Sequence, residues 1–419
     1  MNQTISIPIV DISNDIHRQF IVDRESGVYL GHPTTALLDD GKTILCVYPK
    51  SHAVGQIVLK KSNDGGKTWS KRLPVPSSFS TSMECPTIYK TYDEEGKRRL
   101  LLFSGLYPIR LSVSEDDGES FSELTPIGNF GGIVAISTMI CTGPGKYTAF
   151  FHDDGDYFSG TGAAHKMELY KTGEGSECRT KLTHSYSKDN GLTWSEPLFN
   201  EKQTKITPQD DWIKIHELIT DMKEPKQFTI YAIDTADGGI TWSSPRIVIQ
   251  VKEMQLCEPC AIFSPDQKRL ALLFRENSRK FNSMISFSED NGNTWSIPRQ
   301  LPNELTGDRH YAHYLPDGRL FISFRDMAKG SPTYGSWVGW IGTFQDIEEG
   351  HKGQYRILIM KNYDGEDCAY PAIVILPDET IVTTTYGHFS PGESPYVVTV
   401  RFHINELDSL ANSVQSFRV

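Results

Sequence analysis

Apolar runs of four to eight residues, each broken by a turn, recur along the chain. Thr34–Leu38 and Thr43–Tyr48 flank Asp39-Asp40-Gly41, Pro86–Tyr92 and Arg99–Phe103 flank Glu95-Gly96, and Ala135–Thr142 and Lys146–Phe150 flank Gly143-Pro144-Gly145. Three further pairs surround Pro265-Asp266-Gln267, Pro316-Asp317-Gly318 and Pro377-Asp378-Glu379. Runs of this length, rich in β-branched and aromatic residues and closed by Gly, Pro and Asp, predict strands in hairpins. Helical periodicity is confined to a turn or two near Asn405–Leu410.

A second motif follows the hairpins. The frame Ser/Thr-x-Asp-x-Gly-x-Thr/Ser-aromatic stands at Ser62–Trp69, Ser114–Phe121, Ser187–Trp194, Thr235–Trp242 and Ser288–Trp295. Five copies argue for architecture rather than chemistry, because a catalytic site is made once per chain. Asp and hydroxyl side chains bond nearby backbone, and Gly supplies positive φ, so each copy reads as a hairpin turn between two outer strands. Two inner strands followed by a turn and two outer strands, repeated roughly every 50 residues, predict an all-β protein, a six-bladed β-propeller of four-stranded antiparallel blades. One long gap, between the third and fourth hairpins, holds two of the turn motifs. The preferred reading is one propeller domain over residues 1–419 with an insertion around 155–227; seven blades is the alternative. The N-terminal stretch Ile5–Ile12 is expected to supply the outer strand of the last blade and close the ring.

Hairpin geometry then locates the chemistry. The turn between the first two strands of a blade lies at one mouth of the channel, so the start of strand one and the end of strand two share the other. Those positions hold His32, Glu84, Glu258, Arg309 and Tyr370 at strand starts, and His52, Asp153, Arg275, Arg325, Asp326 and His388 at strand ends. The opposite mouth carries mostly Asp, Gly and Lys.

Charge and composition narrow the partners. A formal net charge of −11 repels polyanions, which argues against nucleic acid and acidic membrane surfaces; an anionic ligand would need a local arginine cluster. No apolar run is long enough to span a bilayer, and the N-terminal residues lack the pattern of a signal peptide. A soluble, cytoplasmic protein is expected, or a secreted or periplasmic one had a signal been removed. The seven cysteines are odd in number and scattered, favouring reduced thiols. Cys257-Glu258-Pro259-Cys260 has no second ligand pair and reads as strand rather than zinc site. The Asp-x-Asx-Gly turns lack the ligand count of a calcium loop, so no metal or cofactor is expected.

The repeated turns, the six-fold count and the loaded mouth together resemble the sialidase (neuraminidase) superfamily, whose turn repeats are known as Asp-boxes. Glu258 followed by Arg275 is similar to the family's Glu and second arginine, and Tyr370 in Cys368-Ala369-Tyr370-Pro371 to its tyrosine nucleophile. The resemblance implies a glycosidase acting on a terminal acidic sugar. The chemistry fits, since a neutral tyrosine approaches a carboxylate-bearing anomeric carbon without the like-charge repulsion a carboxylate nucleophile would meet. Three family positions differ: Gly31-His32-Pro33 stands where an Arg-Ile-Pro is usual, Ser331–Trp337 holds no arginine, and Tyr48–Gly55 holds no aspartate. Arg309 and Arg325 are therefore nominated to join Arg275 in an anion clamp. His52 is nominated as acid/base, with His32, Glu84, Asp153 and Asp326 as rivals; His388 completes the mouth. The bland alternative is that these charges, Arg325 with Asp326 among them, pair only to stiffen the channel. The expected function is a sialidase-like exo-glycosidase for sialic acid or a related ulosonic acid. Its alternatives are a non-catalytic glycan- or protein-binding propeller, and a glycosidase or lyase using the histidines.

Overall fold

A computed structural model describes residues 5–53, 55–158, 164–172, 179–187, 198–199 and 226–416. Its sheets form a six-bladed β-propeller, as the repeat predicts. In chain order the inner hairpins are Thr34–Leu37 with Ile44–Pro49, Thr87–Tyr92 with Arg98–Ser104, Ile133–Gly143 with Lys146–Asp153, Leu256–Phe263 with Leu270–Glu276, Gly307–Tyr314 with Leu320–Asp326, and Ala372–Ile375 with Ile381–Gly387. Second and third strands are buried nearly throughout, as at Ile44–Pro49, Trp337–Gly342 and Ile381–Gly387. Both faces of these strands pack on neighbouring blades, which is why they read as continuous apolar runs instead of alternating ones.

In the first blade the outermost position is taken by extended chain, with Ser70 and Leu73 donating their N–H groups to the Lys61 and Leu59 carbonyls. In the third blade Lys146–Asp153 pairs directly with Thr229–Thr235. Between these strands, Ala164–Thr172, Arg179–Ser187 and Leu198–Phe199 form a separate three-stranded sheet. The rest of the expected insertion, and the turn motif at 188–194, lie outside the described residues.

Ring closure differs from expectation. Ile9–Asp11 does not complete the last blade; it pairs parallel with Tyr355–Met360 as a fifth strand of blade five. Gln19–Asp23 makes the outer strand of blade six, antiparallel to Tyr396–Phe402. Val10 and Ile12 instead bury their side chains in the same apolar cluster as Leu407 and Ala411 of the helix Ile404–Ser416. Two adjacent apolar segments compete for one edge, and the helix draws the first toward blade five.

The four described turn motifs are built alike. In the first, the Ser62 hydroxyl bonds Asp64 and accepts from Gly66 N–H at 2.8 Å, while Asp64 accepts from Thr68 N–H at 2.9 Å and from its hydroxyl at 2.6 Å. Ser114–Asp116–Ser120, Thr235–Asp237–Thr241 and Ser288–Asp290–Thr294 repeat the pattern. The glycines are required by the seams between blades. A Cβ at Gly118 (φ 80°) would fall 2.4 Å from Leu45 of the preceding blade, and one at Gly239 (φ 100°) 2.2 Å from Leu101. These turns therefore lock blade to blade at the mouth away from the candidate site. Among the described residues, no helix is long and apolar enough to cross a membrane.

Candidate functional site

The channel residues are aimed by a device repeated at the head of the first strands. His32, Val134, Glu258, Arg309 and Ala369 are non-glycine residues in the left-handed region, with φ between 47° and 57°. Register shifts accompany three of them, between Ile133 and Thr138, Cys257 and Cys260, and Asp308 and Tyr311. A bulge with a left-handed residue re-aims the side chains beside it, and such strain persists only where the surroundings enforce it. Alternation alone gave no sign of these bulges.

Glu258 is at the centre. Its side chain is 3% exposed. One carboxylate oxygen accepts the Tyr370 hydroxyl and an Arg275 N–H at 3.0 Å; the other accepts the Arg309 backbone N–H at 3.0 Å. Burial opposes the charge of Glu258, but Arg275, the Tyr370 hydroxyl and Arg309 outweigh burial and the neighbouring Asp308, so its pKa lies below the ordinary value. Burial, then the Glu258 charge, raises the Tyr370 pKa well above that of a free phenol. The pair is thus a protonated phenol donating to an ionised carboxylate. The Arg309 guanidinium lies 5.8 Å from the Tyr370 ring centre and donates to the Ser137 carbonyl at 2.9 Å. His152 accepts from Glu258 N–H at 3.4 Å, and burial pushes its pKa down to about 3.

Beside this pair lies an arginine cluster organised by Asp308, which is wholly buried. Arg279 binds it bidentately, both bonds at 2.6 Å; Arg325 binds at 2.7 and 3.2 Å; and Arg275 is 3.4 Å away. Burial disfavours the Asp308 charge, but Arg275, Arg325 and Arg279 overcome it and hold the carboxyl far below its usual range. The arginines that converge are Arg275, Arg279 and Arg325. Arg309 approaches the tyrosine from elsewhere, and Arg279 was not among the sequence candidates. It lies in a loop after strand two of blade four, and its φ of 59° turns it back toward the channel, which no spacing rule discloses. Four guanidiniums thus gather around the Glu258 and Asp308 carboxylates, a local concentration of arginine within an acidic protein.

The first and last blades supply an aromatic wall. His32 Nδ1 accepts from Ala53 N–H at 3.3 Å, so the ring proton is on Nε2, 3.1 Å from the Tyr386 hydroxyl. Tyr386 and Tyr29 each donate to Asp367 at 2.7 Å. Burial, then the neighbouring His52, Arg325 and Arg309, holds His32 neutral, with its ring 4.4 Å from that of Tyr370. His52 is exposed, 4.9 Å from His32 and 5.2 Å from Tyr29 between ring centres.

The other nominees are engaged in structure. Glu84 is buried, its pKa raised chiefly by that burial, and it accepts Cys85 N–H at 2.8 Å. Asp153 accepts the Gly155 and Tyr157 N–H groups at 2.6 and 3.0 Å. Asp326 is not paired with Arg325. It is fully buried against Arg356 at 3.1 Å and accepts from Ser331, Thr333 and Ala328, which leaves a ligand no access. His388 sits at the rim, 3.0 Å from the Glu393 carbonyl. Cys257 and Cys260 are buried free thiols within a strand. No group of three or more His, Cys, Asp or Glu side chains among the described residues is placed to hold a metal ion.

The profile of the BNR repeat-like domain family matches residues 104–382. The chain belongs to that family, within the sialidase superfamily. A sialidase of Clostridium perfringens is 23% identical over 327 residues, which cover 75% of this chain and 61% of that protein; the chain thus spans less than two thirds of this relative's length. A protein of unknown function from Dyadobacter fermentans shares the fold with a TM-score of 0.58 and 14% identity, over 92% of this chain and 97% of that one. An intramolecular trans-sialidase from Ruminococcus gnavus aligns over 93% of this chain and 97% of that one, at 15% identity and a TM-score of 0.46. In this BNR propeller, Glu258, Arg275 and Tyr370, which carry the resemblance in the sequence, meet in one hydrogen-bonded group.

Proposed function

We propose that this BNR propeller is a retaining exo-glycosidase that releases a terminal acidic sugar, sialic acid or a related ulosonic acid. The observation that carries the reading is the Tyr370–Glu258 hydrogen bond, partly buried and flanked by arginines. Tyr370 attacks the anomeric carbon as its proton passes to Glu258, forming a tyrosyl-sugar bond while the glycosidic oxygen leaves. Arg275 and Arg309 favour the negative charge that grows on the phenolic oxygen. His52, exposed beside the tyrosine wall, protonates the leaving oxygen and then takes a proton from the water that frees the sugar. The arginine cluster around Asp308 recruits the sugar carboxylate. The convergence of Arg275, Arg279 and Arg325 on one buried carboxyl-sized space supports an anionic substrate over a neutral one.

The test is product release from a panel of sialosides and octulosonic-acid glycosides by the full chain and by Tyr370→Phe. Reducing sugar from at least one class, and its loss in the variant, is expected. Full turnover by Tyr370→Phe would refute the mechanism. Binding without release across the panel would favour the non-catalytic alternative.

A further inference from the structure

Outside the Tyr370 centre, a cavity adjoins the arginine cluster. A groove of about 580 Å³ runs along the seam between blades four and five, lined by the loop from Glu276 to Ser283, by Gln300–Asn303 and by Met327 and Lys329. It begins at Arg279, whose guanidinium closes on Asp308 and through it joins Arg275 and Arg325. The groove and the arginine cluster therefore share a wall.

Two lysines stand on its rim. Lys329 extends its ammonium to the Arg279 carbonyl at 3.2 Å, and Lys280 is exposed. Neither ammonium forms an ion pair among the described residues. The acid in the lining, Glu276, is 1% exposed and already saturated: it accepts from Gln255 N–H, the Ser278 hydroxyl and the Lys280 N–H at 2.7 to 3.1 Å. It shapes the loop and forms no ion pair with either lysine among the described residues. Phe281, Leu301 and Met327 add apolar surface, the mixture of C–H contact and polar groups that suits a sugar ring.

We propose that this groove is a subsite for the leaving group, and that it takes a saccharide unit bearing a carboxylate. The inference rests on the exo-glycosidase reading above. In a 2-ulosonic acid the carboxylate and the glycosidic oxygen share one carbon, so a groove opening beside the carboxylate clamp receives what is attached to that oxygen. Two unpaired ammoniums on its rim then select an acidic neighbour over a neutral one, and the substrate is the end of an acidic glycan chain.

Equilibrium binding of trigalacturonate and of its methyl ester to the full chain tests this independently of turnover. The acid is expected to bind more tightly than the ester, and to weaken with added salt. Lys280→Ala/Lys329→Ala should weaken the acid about tenfold and leave the ester unchanged; Lys280→Arg/Lys329→Arg should bind like the parent, and Tyr370→Phe also. Equal affinity for acid and ester, no binding of either, or an unchanged affinity in the alanine variant overturns the subsite. If the subsite binds as expected but no glycoside in the panel is cleaved, the glycosidase reading fails and the groove stands as a binding site alone.

Discussion

Replacing Asp308 by alanine removes the carboxylate on which Arg275, Arg279 and Arg325 converge, and leaves three guanidiniums around a gap the size of an acid group. Breaking a buried ion pair by deleting one partner costs ~3–5 kcal/mol, because the remaining charge stays desolvated. The guanidinium side chains are 19%, 33% and 11% exposed; water screens part of that cost, so a loss near the lower bound, about 3 kcal/mol, is expected. Urea unfolding followed by tryptophan fluorescence measures it. Acetate should refill the gap and restore about 2.7 kcal/mol at a concentration a hundred times its dissociation constant, while leaving the parent protein unchanged. The pH dependence has a definite sign. The Asp308 pKa is depressed on folding, so its contribution is complete above the ordinary carboxylate range and lost only as pH falls toward its lowered value. The parent should therefore lose stability on strong acidification more steeply than Asp308→Ala does. A loss below about 1 kcal/mol, or acetate rescue equal in both proteins, would refute the view of Asp308 as the organiser of the cluster.

Three other outcomes are expected. In the proposed mechanism Glu258→Gln keeps the shape but removes the base, so kcat should fall by about 10²–10⁴ with a smaller change in KM; steady-state kinetics on the best substrate checks it. Asp64→Ala deletes the acceptor of one turn motif far from the channel and should cost about 1–2 kcal/mol of stability with kcat intact. His152 has its pKa lowered from 6.5 to about 3, so the unfolded chain takes up the proton first. Stability contributed by the neutral ring is full above about pH 6.5 and is lost toward pH 3, at about 1.4 kcal/mol per pH unit. His152→Gln should flatten the stability–pH curve between pH 6 and 4 by about one proton.

Most of the fold was readable because the turn motifs and apolar pairs set the phase of each blade. That phase put Glu258, Arg275 and Tyr370 at strand starts and ends facing one mouth, where they meet. What escaped was long-range or conformational. Ile5–Ile12 and Gln19–Asp23 are both strand-like, and only the buried contacts of Val10 and Ile12 decide which closes the ring. Asp308 precedes a nominated arginine, yet its place under three guanidiniums depends on the bulge at Arg309. Arg279 enters through a left-handed loop residue, and Asp326 is withdrawn by a buried arginine from the next strand but one, Arg356. Pattern locates strands and their ends; it does not report which way a side chain leaves a bulge.

The nucleophilic role proposed for Tyr370 is tested most directly by trapping. The full chain would be incubated with a fluorinated ulosonic-acid fluoride, whose activated leaving group favours formation of a sugar–enzyme bond over its hydrolysis, and then read by intact mass and peptide mapping. A single added sugar mapped to Tyr370, absent in Tyr370→Phe, is the predicted result. Turnover of a glycoside with no adduct on Tyr370, or an adduct on another residue, would contradict the account.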